Sequence, residues 1–330
     1  PRGFLRRYED GAIFDEVQRA PDLFSYLQGL VDASRHLGRF ILTGSHHFLL
    51  MERIGQSLAG RVAVLHLPPL AQNELARRRL LPSTPEEAVF RGGYPPLFDR
   101  KVSPIDWFPS YVQTYLERDV RLVRAVPDLS TFHRFVRLCA ARTGQTLNLT
   151  ALASDGGVSP NTAKAWLSVL EASFVVFLLP PHFANFGKRL TKAPKLHFLD
   201  TGLASHLVGI RSPSQLLAHP LWGSLFESYV VSETLKRRWN DGVPGELFFW
   251  RDHTGHEVDL LVESGGALFP VEIKAGRTVT SHVFESVQWW CRLANRPARE
   301  AIVVHGGEES HGAAYGRAVS WRRLDQIPRR

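Results

Sequence analysis

Two short apolar runs with an amphipathic stretch between them constrain this chain more than any other feature. Ala12-Ile13-Phe14 reads as a buried strand, and Arg39-Phe40-Ile41-Leu42-Thr43-Gly44-Ser45 as a second with a polar end. Between them Leu23, Tyr26, Leu27, Leu30 and Val31 recur at helical spacing, and Gly38 closes the stretch. Strand, helix, strand is a βαβ unit, whose crossover requires the two strands to run parallel. Ligands gather at the carboxyl ends of such strands. Asp15 and Glu16 follow the first strand and Ser45 ends the second, so all three are expected at one place. The chemistry fits a nucleotide: Asp15 would hold Mg²⁺ through water, Glu16 would polarise an attacking water, and Ser45 would sense a γ-phosphate.

Such a site needs a phosphate-cradling loop, G-x-x-x-x-G-K-[ST], after a strand. The near match is GQSLAGRV, from Gly55 to Val62. Arg61 stands where the lysine belongs, Val62 cannot ligate magnesium, and the segment precedes an expected strand (Val62 to Leu67) instead of following one. Arg61 reads instead as an arginine that reaches a phosphate, its own or a neighbour's. The expectation is therefore a truncated chain whose phosphate loop lies before Pro1.

FDEVQRAPDLFSYLQGLVD, GRFILTGSHHFLLM and SLAGRVAVLHLPPL together resemble a prokaryotic AAA-type ATPase family with a C-terminal domain of unknown function. The resemblance continues through GGYPPLF, WFPSYVQTYLERDVR, LHFLDTGLASHLVGI and LFESYVVSE. It implies ATP binding in the intact protein; a homo-oligomer through the ATPase core is a further expectation.

The middle of the chain reads as a winged helix-turn-helix. Phe132, Phe135, Val136 and Leu138 line one side of a helix from Leu129 to Arg142. A short helix from Leu149 to Ser154 and a turn at Asp155-Gly156-Gly157 come next. Ser159 is a good N-cap with Pro160 at the first helical position. Ala163, Trp166, Leu167 and Leu170 then form the core stripe of a second helix, and Phe174 to Leu179 suits a wing. Asn161, Thr162 and Lys164 would face outward at the start of the recognition helix, toward DNA. The same layout also serves as a plain protein-protein module.

The last third suggests an αβββαβ domain. Leu221 to Trp239 is an amphipathic helix carrying Glu227. Strands are expected from Leu247 to Trp250, His256 to Glu263 and Ala267 to Ala275, with a hairpin turn at Ser264-Gly265-Gly266. A helix from His282 to Ala294 and a strand from Ala301 to His305 complete the order. Period-two alternation puts Glu272 and Lys274 on one face. Asp259 and Glu272 on neighbouring strands can grip Mg²⁺, Glu227 can add a third carboxylate, and Lys274 can orient water or offset phosphate charge. GHEVDLL and FPVEIKAG resemble the PD-(D/E)xK nuclease superfamily, with Val258 in place of its usual proline. Glu233 rivals Glu227 on the same helix, and Glu257 is expected on the face opposite Asp259. A relic fold that binds without cutting is the alternative.

The fold class is thus α/β multidomain: a partial P-loop parallel sheet (1–85), a helical linker with the winged helix (86–185) and a restriction-endonuclease-like domain (186–330). The 330 residues carry a net charge of +8, which favours an anionic partner such as DNA. Two cysteines, Cys139 and Cys291, lie too far apart in sequence to read as a ligand pair and suit a reducing, cytoplasmic setting. The longest apolar run, Phe174 to Leu179, is too short to span a membrane. His46 and His47 read as loop histidines, Trp289 and Trp290 as core, Arg77 to Arg79 as a solvated helix face, and Arg322, Arg323, Arg329 and Arg330 as a mobile basic tail.

Overall fold

The computed structural model describes residues 2–8, 10–33, 36–44, 54–55, 57–116, 128–182, 192–243, 246–313 and 315–328. They fall into two units, Pro1–Leu65 and His66–Arg330.

The first unit holds the expected βαβ. β1 (Ala12–Phe14) pairs in parallel with β2 (Phe40–Leu42), Ile13 opposite Ile41, and α1 (Leu23–Asp32) is the crossover. Glycine is required at the strand entry: Gly11 has φ +119°, and a Cβ there would lie 2.4 Å from the Arg39 carbonyl oxygen. Val17, Leu23, Phe24, Leu27 and Leu58 are buried together against Phe14 and Phe40. The expected strand from Val62 to Leu67 does not form. Residues 62–68 join no ladder, and Leu65 and Leu67 stand exposed. An apolar run becomes a strand only where a second backbone completes its hydrogen bonds, and among the described residues the sheet here has only β1 and β2.

The second unit opens with α2 (Gln72–Arg77) and α3 (Pro85–Arg91). Arg77, Arg78 and Arg79 are exposed, but only Arg77 lies on the helix: Arg78 caps it and Arg79 is left-handed at φ 57°. Three helices follow: α4 (Leu129–Ala141), α5 (Leu149–Gly156) and α6 (Pro160–Ala172). Each starts at a side-chain cap, Asp128, Asn148 and Ser159 in turn, which satisfies an otherwise orphaned N–H. Gly157, at φ +70°, ends α5 in the left-handed region. Phe132 and Phe135 pack edge-on to Trp166, fixing α4 against α6. β4 (Val176–Leu179) then pairs antiparallel with β5 (Lys195–Phe198), and β3 (Gln145–Thr146) flanks β5 on its other side. All of β5 is buried, its lysine included. This strand lies past residue 186, so the middle sheet draws on residues assigned by sequence to the last domain.

After α7 (Thr201–Leu207) the C-terminal order is α8 (Trp222–Asn240), β6 (Leu247–Arg251), β7 (Glu257–Ser264), β8 (Ala267–Lys274), α9 (Glu285–Leu293) and β9 (Ile302–His305). This is the expected αβββαβ sequence. β6, β7 and β8 are antiparallel, and β8 runs parallel to β9 across the α9 crossover. Two strands not anticipated, β10 (His311–Ala313) and β11 (Gly316–Ser320), extend the sheet beyond β9. Gly265 and Gly266 both take positive φ in the two-residue β7–β8 turn, as such hairpins require. α9 covers one face, where Trp250, Leu261, Val287, Trp290 and Val303 are buried, and Val271, Ile273 and Val304 join the larger core that also holds Phe226 and Val230 of α8. No described helix is long and apolar enough to cross a membrane.

Candidate functional site

A break in the β6–β7 ladder builds the site. From Phe248 to Trp250 β6 advances two residues, while their partners on β7, Leu261 and Val258, are three apart. The extra residue is a bulge at Asp259 and Leu260, a device that re-aims side chains. The β7–β8 register begins at Leu260 opposite Val271. Beyond it Asp259 substitutes a side chain for the ladder: its Oδ2 accepts from Ile273 N at 2.9 Å.

Around Asp259 the structure gathers the acids singled out by sequence, together with a residue that was not. Lys195, from β5, lays its Nζ 2.7 Å from Glu227 Oε1, 2.5 Å from Glu257 Oε1 and 3.7 Å from Asp259 Oδ1. Its side chain is 3% exposed. Beneath it the ring centroid of Phe249 lies 5.5 Å away. On β8, Lys274 Nζ pairs with Glu272 Oε1 at 2.5 Å, so those two share a face as expected. The other carboxylate oxygen of Glu272, Oε2, is buried without a hydrogen-bond partner. Glu257 does not point away from Asp259: both acids reach Lys195, because residues two apart on a strand share a face. Arg251 Nη1 also lies 3.4 Å from Glu257.

Crowding sets the electrostatics. Burial, with the charge of Asp259 added, pushes the carboxyls of Glu227 and Glu272 each up to about 8, against the pull of Lys195 on one and Lys274 on the other. Burial works against the ammonium of Lys195, but Glu227, Asp259 and Glu257 outweigh it and raise its pKa. Glu227 and Glu272 therefore hold their protons more tightly than free carboxyls, beside a lysine that stays charged. Nearby His197 is held neutral by burial and by that same lysine.

The donor set suits a hard cation chemically, but its arrangement does not fit Mg²⁺. Octahedral Mg²⁺ needs oxygens at about 2.0–2.1 Å. Here Glu227 and Glu257 stand at hydrogen-bond distance around an ammonium that holds the centre. Among the described residues no group of three or more His, Cys, Asp or Glu is arranged to hold a metal ion.

Glu233 is distinguished from Glu227 by its surroundings. Its Oε2 accepts from Gln72 N at 2.5 Å, and its other oxygen pairs with Lys236. It ties α8 to the start of α2 and has no contact with the cluster's lysine.

In the first unit Asp15 follows β1 and accepts from Thr43 Oγ1, just past β2, so the two strand ends do meet. Glu16 is left-handed (φ 52°) and its carboxylate takes Gln18 Nε2 at 2.9 Å. Arg61 turns to Asp32 at the end of α1, with Nη2 3.1 Å from Oδ2. Ser45, His46 and His47 lie outside the described residues. In the second unit Asn161 and Lys164 are exposed and Thr162 half-buried on the first turns of α6. Trp290 is core, while Trp289 carries His256 stacked at 4.1 Å. Arg322 is no mobile tail: it pairs with Glu308 and donates to the Ser83 carbonyl. Arg329 and Arg330 lie outside the described residues.

Lys195 is the residue that sequence reasoning missed. The signal was present: a lysine opens the run KLHF, whose other members are strand-forming and apolar or aromatic, and a lysine that starts a buried strand must meet an acid.

Comparison with known proteins supports an AAA-type ATPase-like architecture followed by domains of unknown function. Residues 1–76 match the family model of an AAA domain, 83–214 a domain of unknown function (DUF8612), and 222–324 another (DUF4143). Two relatives are uncharacterized proteins, Rv2008c of Mycobacterium tuberculosis and Mb2031c of Mycobacterium bovis. Each is 32% identical over 296 residues, which is 89% of this chain and 64% of the relative. No solved structure matches the chain.

Proposed function

We propose that this chain is the DNA-directed arm of an AAA-type ATP-binding protein, in which α6 belongs to a winged helix and the C-terminal sheet is a nuclease-like domain that binds without cutting. ATP would belong to the whole protein, near Asp15 and Glu16. The observation that carries the reading is Lys195, whose ammonium pairs with Glu227 and Glu257 and lies 3.7 Å from Asp259, occupying two of the acids a metal would need. The outward residues of α6 and the charge of +8 support a DNA backbone as partner.

The test uses the full chain and duplex DNA. Affinity should fall linearly with salt on logarithmic axes. Lys164→Ala should weaken binding to all sequences alike and lower the salt slope by about 1. Supercoiled, linear and branched DNA should survive Mg²⁺ and Mn²⁺. The unpaired buried oxygen of Glu272 favours a second reading, a metal-dependent nuclease using Glu227, Asp259, Glu272 and Lys274. Cleavage by the wild type, lost in Asp259→Ala and Lys274→Ala, would establish that reading instead. Absence of any salt-dependent DNA affinity would overturn both and point to a protein partner.

A further inference from the structure

We infer that Lys195 is the resident cation of the acidic pocket, an ammonium lent by the middle sheet that takes the place of a divalent metal ion and docks the two modules by charge. The inference rests on the binding-without-cutting reading of the pocket. Its first support is provenance. Lys195 lies in the segment matched by one family model (83–214), and Glu227, Glu257, Asp259 and Glu272 lie in the segment matched by another (222–324). The ion cluster is thus a junction between two independently described pieces of chain.

Permanence is the second support. β5 is held by β3 on one side and β4 on the other, and Leu196 and Phe198 are fully buried. The backbone that carries Lys195 is therefore fixed between two strands, and its side chain is itself 3% exposed. The third is contact. Carboxylate oxygens of Glu257 and Glu227 lie 2.5 and 2.7 Å from the nitrogen, so the ammonium already fills the space between them. The fourth is what remains unmet. Glu272 is 5% exposed with Oε2 unpartnered, in a pocket where acids already outnumber the lysines. With Lys195 gone, Glu227 and Asp259 would keep only the charge of Lys274, beyond ion-pair distance, and a hard divalent ion is the species such oxygens bind.

The experiment is Mn²⁺ titration of the full chain, read by calorimetry and by the shift in melting temperature, without DNA. The wild type and the charge-retaining Lys195→Arg should show no tight Mn²⁺ site. Lys195→Met should gain one, at least tenfold tighter than wild type, with a melting temperature that rises with Mn²⁺ and falls again with chelator. Adding Asp259→Ala should abolish the gain. Three results would overturn the inference: a stoichiometric wild-type Mn²⁺ site that Asp259→Ala removes, a folded Lys195→Met that gains none, or a Lys195→Met that stays unfolded even in Mn²⁺. The DNA assays do not enter this readout, so loss of the DNA reading alone leaves the Mn²⁺ result standing, and the reverse holds too.

Discussion

Replacing Asp200 with alanine separates residues that hold the fold from residues that serve a site. Asp200 sits in LHFLDTGL, and its carboxylate is buried between segments far apart in sequence. Oδ2 accepts from Gly93 N at 2.7 Å and Oδ1 from Leu203 N at 2.9 Å, so one side chain caps α7 and holds the Gly92-Gly93 loop. That loop has no slack. A Cβ at Gly92 would lie 2.2 Å from Asp200 Oδ1, and one at Gly202 would lie 2.7 Å from the Arg91 carbonyl. On its far side Gly93 accepts from Leu70 N at 2.7 Å. Alanine removes a helix cap, about 0.5–2 kcal/mol. It also leaves the Gly93 N–H buried without an acceptor, about 1–3 kcal/mol. The expected loss is therefore roughly 1.5–5 kcal/mol, read as a lower urea midpoint at unchanged slope. DNA affinity of the folded variant should match wild type. A loss below about 1 kcal/mol, or a stable variant that no longer binds DNA, would refute the structural assignment of this motif.

Glu233→Ala should cost about 3–5 kcal/mol, because it removes the ion-pair partner of buried Lys236, leaving it the Leu70 carbonyl, and strands the Gln72 N–H in the interior. Mn²⁺ and DNA binding of the folded protein should not change, and guanidinium unfolding beside the Mn²⁺ titration checks both. Burial, aided by Arg211 and Arg137, lowers the His206 imidazole to about 4. Since the unfolded chain takes up that proton first, stability should fall as pH drops from about 6.5 toward 4 and be insensitive to this group above that window. NMR of the His206 ring should place its titration near the lower end, and a midpoint near 6.5 would contradict the burial. Burial also pushes the thiols of Cys139 and Cys291 up to about 12 and about 11. Iodoacetamide at pH 8 should leave both unlabelled in the folded protein and label both after unfolding.

Local pattern carried most of the C-terminal domain. Alternation over FPVEIK fixed which residues share a face, and two glycines after Ser264 fixed a two-residue turn, because few other residues take positive φ there. The cap at Ser159 placed the start of α6 for the same kind of reason: an orphan N–H needs a nearby oxygen, and the sequence displays it. The failures lie where the decisive partner is remote. Val62 to Leu67 has strand composition, but nothing in the run states whether a second backbone will lie beside it. β10 and β11 are short and rich in glycine and alanine, and they exist because β9 offers an edge. The bulge at Asp259 could not be read either, since it is a mismatch between β6 and β7 and belongs to neither alone.

Lys195 shows how far a sequence can take a site and where it stops. Strand period and the E-x-K spacing bring Asp259, Glu272 and Lys274 together without any knowledge of the rest of the chain. By themselves they describe a metal site, because two acids and a lysine in a pocket ask for a cation. Which cation answers is decided by β5, a strand from another module whose own sequence states only that a charged group opens a buried run. A buried lysine must find acids, and a buried acid cluster must find positive charge. Each demand is legible alone; only the fold shows that the two satisfy each other. Changing Lys195 should therefore reveal metal affinity that the carboxylates possess and that the wild-type arrangement does not express.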